Sequence, residues 1–243
     1  MKIVSKTDTG LVRRSNQDAY AAGELAGGMA WAVVCDGMGG QNGGDIASAS
    51  AVKMISERIS SSFREGMGPN SIRTMLQSAI AAANFHIYEM SRSVETLAGM
   101  GTTVVAAVVC GETAHIAHAG DSRAYLVSGD RLTQITRDHS VVQTMLESGE
   151  ITDQEARDFP GKNVITRALG VDEDVEIDYN ELSVLKDDFI LICTDGLTNY
   201  VSEEEIMSAV KTKRFYEYPE TMIAAANANG GGDNITVVVL GLA

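Results

Sequence analysis

Residues Thr102–Val127, TTVVAAVVCGETAHIAHAGDSRAYLV, place three apolar runs in succession: Thr102–Val109, Thr113–Ala119 and Ala124–Val127. Each is of strand length, rich in β-formers or small apolar residues, and closed by Gly, Asp or Ser turn signals. No helix-length segment separates them. Working outward, Ala30–Cys35, Phe189–Thr194 and Ile235–Leu240 read the same way. Two helices fall between the first runs. Ala47, Ala51, Ile55, Ile59 and Phe63 recur at steps of four behind Asp45, and Ile72, Leu76, Ile80, Ala83, Ile87 and Met90 form a second stripe after Ser71. Ser202 with Glu205, and Thr152 with Glu155, make capping boxes, and a last helix over Glu217–Ala228 stops at Gly230. Strands in consecutive groups with helices in pairs indicate α+β layers with antiparallel pairing rather than regular βαβ alternation. The polar stretch Ser140–Lys162 interrupts the strand rhythm as an excursion from the core.

No proline-rich or Ser/Gly linker and no repeat divides the 243 residues, so a single domain over 1–243 is expected. Hydrophobic residues make up 44%, enough to fill a core and to exclude a disordered chain. The net charge of −14 argues against nucleic acid as partner, which demands a basic face. The start, Met1-Lys2-Ile3-Val4-Ser5-Lys6, is too short in apolar residues for a signal-peptide core, and no run approaches the roughly 20 residues of a membrane span. Cys35, Cys110 and Cys193 are odd in number and set in apolar runs, which reads as buried free thiols. A cytoplasmic protein without membrane insertion is the expectation.

The informative pattern is where aspartates sit. Asp36 follows Ala30–Cys35 and precedes Gly37-Met38-Gly39-Gly40; Asp195 follows Phe189–Thr194 and precedes Gly196; Asp121 follows Ala119-Gly120; Asp233 lies just before Ile235–Leu240; Asp18 closes Arg13-Arg14-Ser15-Asn16-Gln17-Asp18. One Asp-Gly at a strand end is ordinarily a turn. Five such aspartates converging on one rim would repel unless a cation neutralised them. Hard divalent ions want such oxygen ligands, and a glycine beside a ligand lets a backbone carbonyl approach the ion. Arg13 supplies the complementary charge, a guanidinium able to hold a phosphoryl group bidentately. Carboxylates plus one arginine form the kit for phosphate-ester hydrolysis, in which two cations ~3.5–4 Å apart hold and acidify a water for in-line attack.

Competing phosphatase chemistries are missing. The sixth residues after the cysteines are Gln41, Ile116 and Asn199, where a cysteine-dependent enzyme needs arginine. Asp172-Glu173-Asp174 continues as Val175-Glu176, not as an aspartyl-nucleophile motif, and Ile177 stands where a calcium loop needs glycine. No Walker A sequence is present. His86, His115 and His118 read as core or surface residues, and His139, opening the polar excursion, as a local hydrogen-bonding residue.

These pieces together resemble the bacterial type 2C (PPM) metal-dependent serine/threonine protein phosphatases. The matching stretches are Gly10-Leu11-Val12-Arg13 with Asn16-Gln17-Asp18, Val34–Gly40, Gly101-Thr102-Thr103, Ala119–Arg123, Asp138-His139-Ser140, Thr194–Leu197 and Gly232–Thr236, in the family's order over nearly the whole chain. The resemblance implies a four-layer αββα sandwich, two antiparallel sheets flanked by helix pairs. It implies that Asp36 bridges two Mn²⁺ or Mg²⁺ ions with the Gly37 carbonyl on one of them. Asp195 and Asp233 would ligate the other ion, and Asp18 would hold metal-bound waters. Asp121 would join Asp195 at a third ion, Arg13 would clamp phosphate, and the excursion at 140–162 would be the family's flap.

The expected function is hydrolysis of phosphoserine and phosphothreonine on proteins without a covalent phosphoenzyme. A partner-specific regulatory phosphatase of the same fold and a non-catalytic pseudophosphatase are the alternatives. The expected partners of this monomer are phosphorylated proteins, a cognate serine/threonine kinase among them. Three positions depart from relatives. Gln41 replaces a histidine of many bacterial members, Gln17 replaces a common glutamate, and Met38 stands where animal enzymes place a proposed general-acid histidine. The resemblance therefore assigns leaving-group protonation to metal-bound water.

Overall fold

In a computed structural model, which describes residues 1–39, 43–157 and 159–242, the apolar runs become the middle strands of two antiparallel sheets. The first sheet runs β1 (Lys2–Asp8), β11 (Ile235–Gly241), β10 (Phe189–Cys193), β7 (Arg123–Ser128), β8 (Arg131–Gln134). The second runs β2 (Asp18–Leu25), β3 (Met29–Met38), β5 (Val104–Cys110), β6 (Thr113–Ala119), β9 (Asp178–Ser183), with the two-residue β4 (Gly101–Thr102) paired to the end of β3.

Side-chain parity explains why these strands read as continuous apolar runs. On β3, Ala30, Ala32 and Val34 join Val105, Ala107 and Ile116 of their own sheet and Ile190, Ile192, Val238 and Leu240 of the other in one buried layer between the sheets. The alternate residues Trp31, Val33 and Cys35 point the other way, onto α1 (Gly44–Ser62) and α2 (Pro69–Ser93). On the far side, Leu191, Cys193, Val237 and Val239 pack against α6 (Glu203–Thr212) and α7 (Tyr218–Ala228). Both faces of each sheet are dry, so period-two alternation vanishes from the middle strands. The result is the four-layer αββα sandwich.

The four strands that the apolar-run criterion misses are β1, β2, β8 and β9, the four sheet edges. None contains a fully buried residue, so each lacks the apolar run that marks an interior strand. The run at Thr102–Val109 is split: the Thr103 N–H and the Thr102 hydroxyl both donate to the Asp36 carbonyl, at 2.9 and 2.8 Å, and the chain changes partner there. α2 starts at Pro69, two residues before Ser71, because proline's fixed φ suits a first turn.

Ser140–Lys162 carries α3 (Val141–Ser148) and the short α4 (Asp153–Arg157): Ser140 Oγ caps the first by accepting from the Gln143 N–H at 3.1 Å, and the expected pair caps the second, with Glu155 Oε2 accepting from the Thr152 N–H at 2.8 Å. Among the described residues, no helix is long and apolar enough to cross a membrane. The three cysteines are free, Cys35 and Cys193 buried and Cys110 partly so. The departure at Gln41 lies outside the described residues.

Candidate active site

Asp18 and Asp36 are direct partners in the antiparallel β2–β3 ladder, so their side chains emerge on the same face. By parity that is the inner face: Asp36 follows Ala32 and Val34, and Asp18 precedes Tyr20 and Ala22. Like charges directly opposite one another destabilise a sheet, so this pairing at the end of an otherwise apolar layer is where polar groups interrupt the packing.

Two threonines of the opposite sheet hold Asp18. Thr194 and Thr236 donate to its Oδ2 at 2.9 and 2.7 Å. Among the described residues, its buried Oδ1 has no hydrogen-bond partner. Burial pushes the carboxyl up to about 7 against the two threonine bonds, with Asp195 and Asp233 adding to the rise. Asp36 is pushed well above the ordinary carboxylate range by burial and then by Asp18, Asp195, Asp121 and Asp233. Asp195, opening the single turn α5 (Asp195–Thr198), accepts from Asn199 Nδ2 at 2.9 Å and shares a hydrogen bond with Asp36. Burial and then Asp233 raise it. Asp121 rises to about 7, first from burial and then from Asp195 and Asp138. The structure thus brings all five aspartates into one mutually repelling cluster at one end of the inter-sheet layer.

Glycine is required where the backbone crowds this cluster. A Cβ on Gly37 would lie 2.0 Å from the Gly44 carbonyl oxygen at the start of α1, and one on Gly196 would lie 1.9 Å from the Asn234 carbonyl oxygen. Gly37 donates to the Gln17 carbonyl at 3.1 Å, which ties the end of β3 to the residue before Asp18.

Arg13 sits at the rim with half of its side chain exposed and donates through Nη2 to Asp233 Oδ2 at 2.8 Å. That bond raises the guanidinium pKa further, with Asp233, Asp36 and Asp195 contributing their charge. Its partner is therefore one of the clustered carboxylates. Asn234 holds the loop that carries it. Its Nδ2 donates to the carbonyls of Thr9 and Ser15, both at 3.0 Å, and its Oδ1 accepts from the Gln17 N–H at 2.8 Å.

Asn234, Thr194, Thr236 and Thr103 are the residues that reasoning from aspartates alone passes over. A signal exists for the two that hold Asp18: Thr194 and Thr236 fall at the strand parity of Ile192 and Val238, polar residues on a face that should be apolar. Thr103 receives the Asp36 N–H at 2.9 Å and bonds Ser122 at 2.7 Å, linking three of the motifs. Arg123 completes the link by gripping Asp138 through Nε, at 3.0 and 2.9 Å, and Nη2.

A second group, His118, His139 and Asp178, brings ligand-type atoms within 4.8 Å of one another. Here a cation is already in place, because Arg167 donates to Asp178 Oδ1 at 2.8 Å and pairs with Glu176 at 2.6 Å. The imidazoles stack with centroids 4.8 Å apart and planes 11° apart, so their nitrogens lie in near-parallel planes. Burial lowers both imidazole pKa values and the nearby Arg167 lowers them further, which keeps both rings neutral near pH 7. The group forms a hydrogen-bonded brace beside the aspartates.

A cleft of about 840 Å³ opens from Asp121 and Asp195 along the excursion, past Val142, Gln143 and Leu146. It joins Asp121 and Asp195 to the surface.

The family described as protein phosphatase 2C matches residues 12–235 of this chain. A protein of Listeria monocytogenes serotype 4b (strain F2365) named serine/threonine phosphatase stp is 40% identical over 236 residues, 97% of this chain and 93% of that one. Among solved structures, the S. agalactiae serine/threonine phosphatase superposes with a TM-score of 0.93 at 32% identity, covering 100% of this chain and 99% of that one. The catalytic domain of the serine threonine protein phosphatase PstP, solved in complex with 2 manganese ions, gives a TM-score of 0.85 at 33% identity over 98% of this chain and 96% of that one.

Proposed function

The chain belongs to the protein phosphatase 2C family of metal-dependent serine/threonine phosphatases, and we propose that it hydrolyses phosphoserine and phosphothreonine on proteins with Mn²⁺ or Mg²⁺ held by its inner-face aspartates. The observation that carries this reading is the buried Oδ1 of Asp18, unpartnered among the described residues, amid carboxylates whose protonation is favoured by burial and then by their mutual repulsion. Leaving such an oxygen unpaired is costly, and a divalent ion with its waters removes both the vacant acceptor and the repulsion. The donor set is all hard oxygen, which suits Mg²⁺ and Mn²⁺.

In this reading Asp36 would help to hold two ions, with the Gly37 carbonyl on one and Asp195 and Asp233 on the other. Asp18, from its threonine seat, would orient a water of the site, and Asp121 with Asp195 would hold a third ion. Divalent ions held there would supply the positive charge that acidifies a water and offsets the charge developing on the phosphoryl group. Arg13 spends one of its five N–H donors on Asp233 and keeps others for a phosphoryl oxygen. The products are the free hydroxyl side chain and inorganic phosphate, with the P–O bond to the substrate broken by water. A covalent cysteinyl intermediate is disfavoured by the thiols themselves: burial pushes Cys110 to about 11 and Cys193 to about 12, and raises Cys35 further. We assign the flap role to residues 140–162, since α3 lines the cleft that leads to Asp121 and Asp195.

The test is hydrolysis of a phosphothreonine peptide. Turnover should need added Mn²⁺ or Mg²⁺ and stop with chelator, and a single turnover in H₂¹⁸O should place one ¹⁸O in the released phosphate with no phosphorylated protein on acid quench. Metal-independent turnover, or a trapped phosphoenzyme, would overturn the reading.

A further inference from the structure

We propose that His139 is a positioning residue: its side chain and its main chain together clamp Gly120 and so aim the Asp121 carboxylate at Asp195. The inference rests on reading Asp121 as an ion ligand. Gly120 takes a φ of +116°, a conformation in which only glycine is at ease, and a Cβ there would lie 2.6 Å from the Thr103 side chain. With so permissive a residue in front of it, Asp121 gets its direction from whatever fixes the two peptide units flanking Gly120.

His139 fixes both. The Gly120 N–H donates to His139 Nδ1 at 3.1 Å, which holds the peptide entering the glycine. The His139 N–H donates to the Gly120 carbonyl at 3.0 Å, which holds the peptide leading into Asp121.

The ring is in turn held for this task. Because Nδ1 accepts, the neutral ring carries its hydrogen on Nε2, which lies 3.3 Å from Asp178 Oδ2 and 3.1 Å from Arg167 Nη1. Asp178 is kept in place by Arg167 Nη1 at 2.8 Å and by its strand pairing opposite His118. His118 stacks on the ring while its Nε2 bonds the Arg137 carbonyl at 2.9 Å. An acceptor aimed at one backbone N–H, with an Asp178–Arg167 ion pair behind it, is the arrangement by which an outer residue orients a ligand. Ser140, the next residue, caps α3, so the same tripeptide that sets Asp121 also begins the flap.

The test compares His139→Asn, His139→Gln and His139→Ala with Asp121→Ala in the full chain. Asparagine's Oδ1 falls where Nδ1 was and restores the acceptor for Gly120, whereas glutamine reaches only the Nε2 position. Two readouts are used: Mn²⁺ binding to chelator-stripped protein by calorimetry, and amide exchange at Gly120 without metal. His139→Gln and His139→Ala should weaken the same class of Mn²⁺ site as Asp121→Ala, by about tenfold or more as for other outer partners of ligands, and should speed Gly120 exchange. His139→Asn should keep both near wild type. Loss of the Mn²⁺ class in Asp121→Ala with normal binding in His139→Gln would overturn the positioning role alone. An Asp121→Ala isotherm identical to wild type would overturn the assignment of Asp121 as a ligand, and unchanged Gly120 exchange in His139→Gln would overturn the clamp independently of any metal.

Discussion

Along the inner face of β3, Ala30, Ala32 and Val34 are sealed in the apolar layer between the sheets, and two residues further the same face carries Asp36. The other strands make the same change at the same end: Ile116 gives way to His118, Ile192 to Thr194, and Val238 to Thr236. The centre of the layer is dry and cohesive. Its end is a polar pocket in which carboxylates raise one another's pKa values. The centre therefore provides folding free energy through apolar burial, while the end costs folding free energy whenever no cation is present. The proposed site lies where the same strands stop contributing to stability, as expected of sites whose local rules are broken for chemistry.

The strongest way to break this contrast is at Asp36. Asp36→Asn keeps size and one acceptor oxygen but removes the charge that two ions would share. It should lower kcat/KM on a phosphopeptide by roughly 10³-fold or more, beyond the 10–100-fold typical of residues that merely support a ligand. In chelator the same variant should melt no lower than wild type, because one repelling carboxylate is gone. Retained turnover would remove Asp36 from the ion site, and a melting temperature well below wild type would show that the polar end stabilises the fold after all.

The centre should answer the opposite way. Ile190 is fully buried in the inter-sheet layer, and Ile190→Ala should cost about 2–5 kcal/mol of stability through lost transfer energy and a residual cavity. Well below its melting point this variant should keep the wild-type Mn²⁺ activation curve. A shifted curve would mean that packing at the centre sets the geometry at the end, and that the two regions are not separable.

How much of this was legible beforehand follows the same division. Interior strands announce themselves because two dry faces turn them into apolar runs, and Asp36, Asp121, Asp195 and Asp233 stand out because each adjoins a strand end and a small residue. The edge strands β1, β2, β8 and β9 do not, since half-exposed residues carry no such run. Thr194 and Thr236 read as ordinary strand formers until their parity is known. His139 is visible as a motif residue, but its bond to Gly120 spans 19 positions. Arg167 and Asp178, which hold it, come from a loop and an edge strand with no local pattern at all. Partners chosen by tertiary approach leave no period in the sequence.

The smallest effect concerns Asp18, where charge can be separated from shape. Its carboxyl titrates at about 7 in the folded protein, against about 3.9 in an unfolded chain. The folded state holds that proton more tightly, so the contribution to stability is complete at low pH and is lost as pH rises towards 7. Asp18→Asn retains an oxygen for Thr194 and Thr236 but cannot ionise. In chelator, the melting temperature of the variant minus that of wild type should therefore grow from pH 5 to pH 7.5 and level off above. The gain should be several degrees, given about 2–4 °C per kcal/mol for a chain of this size. Saturating Mn²⁺ should reverse the sign, because the wild type then gains binding free energy in its folded state that the variant has partly given up. A difference that stayed flat across that pH range would show that the Asp18 carboxyl is already satisfied without an ion, and the unpartnered Oδ1 would then no longer argue for one.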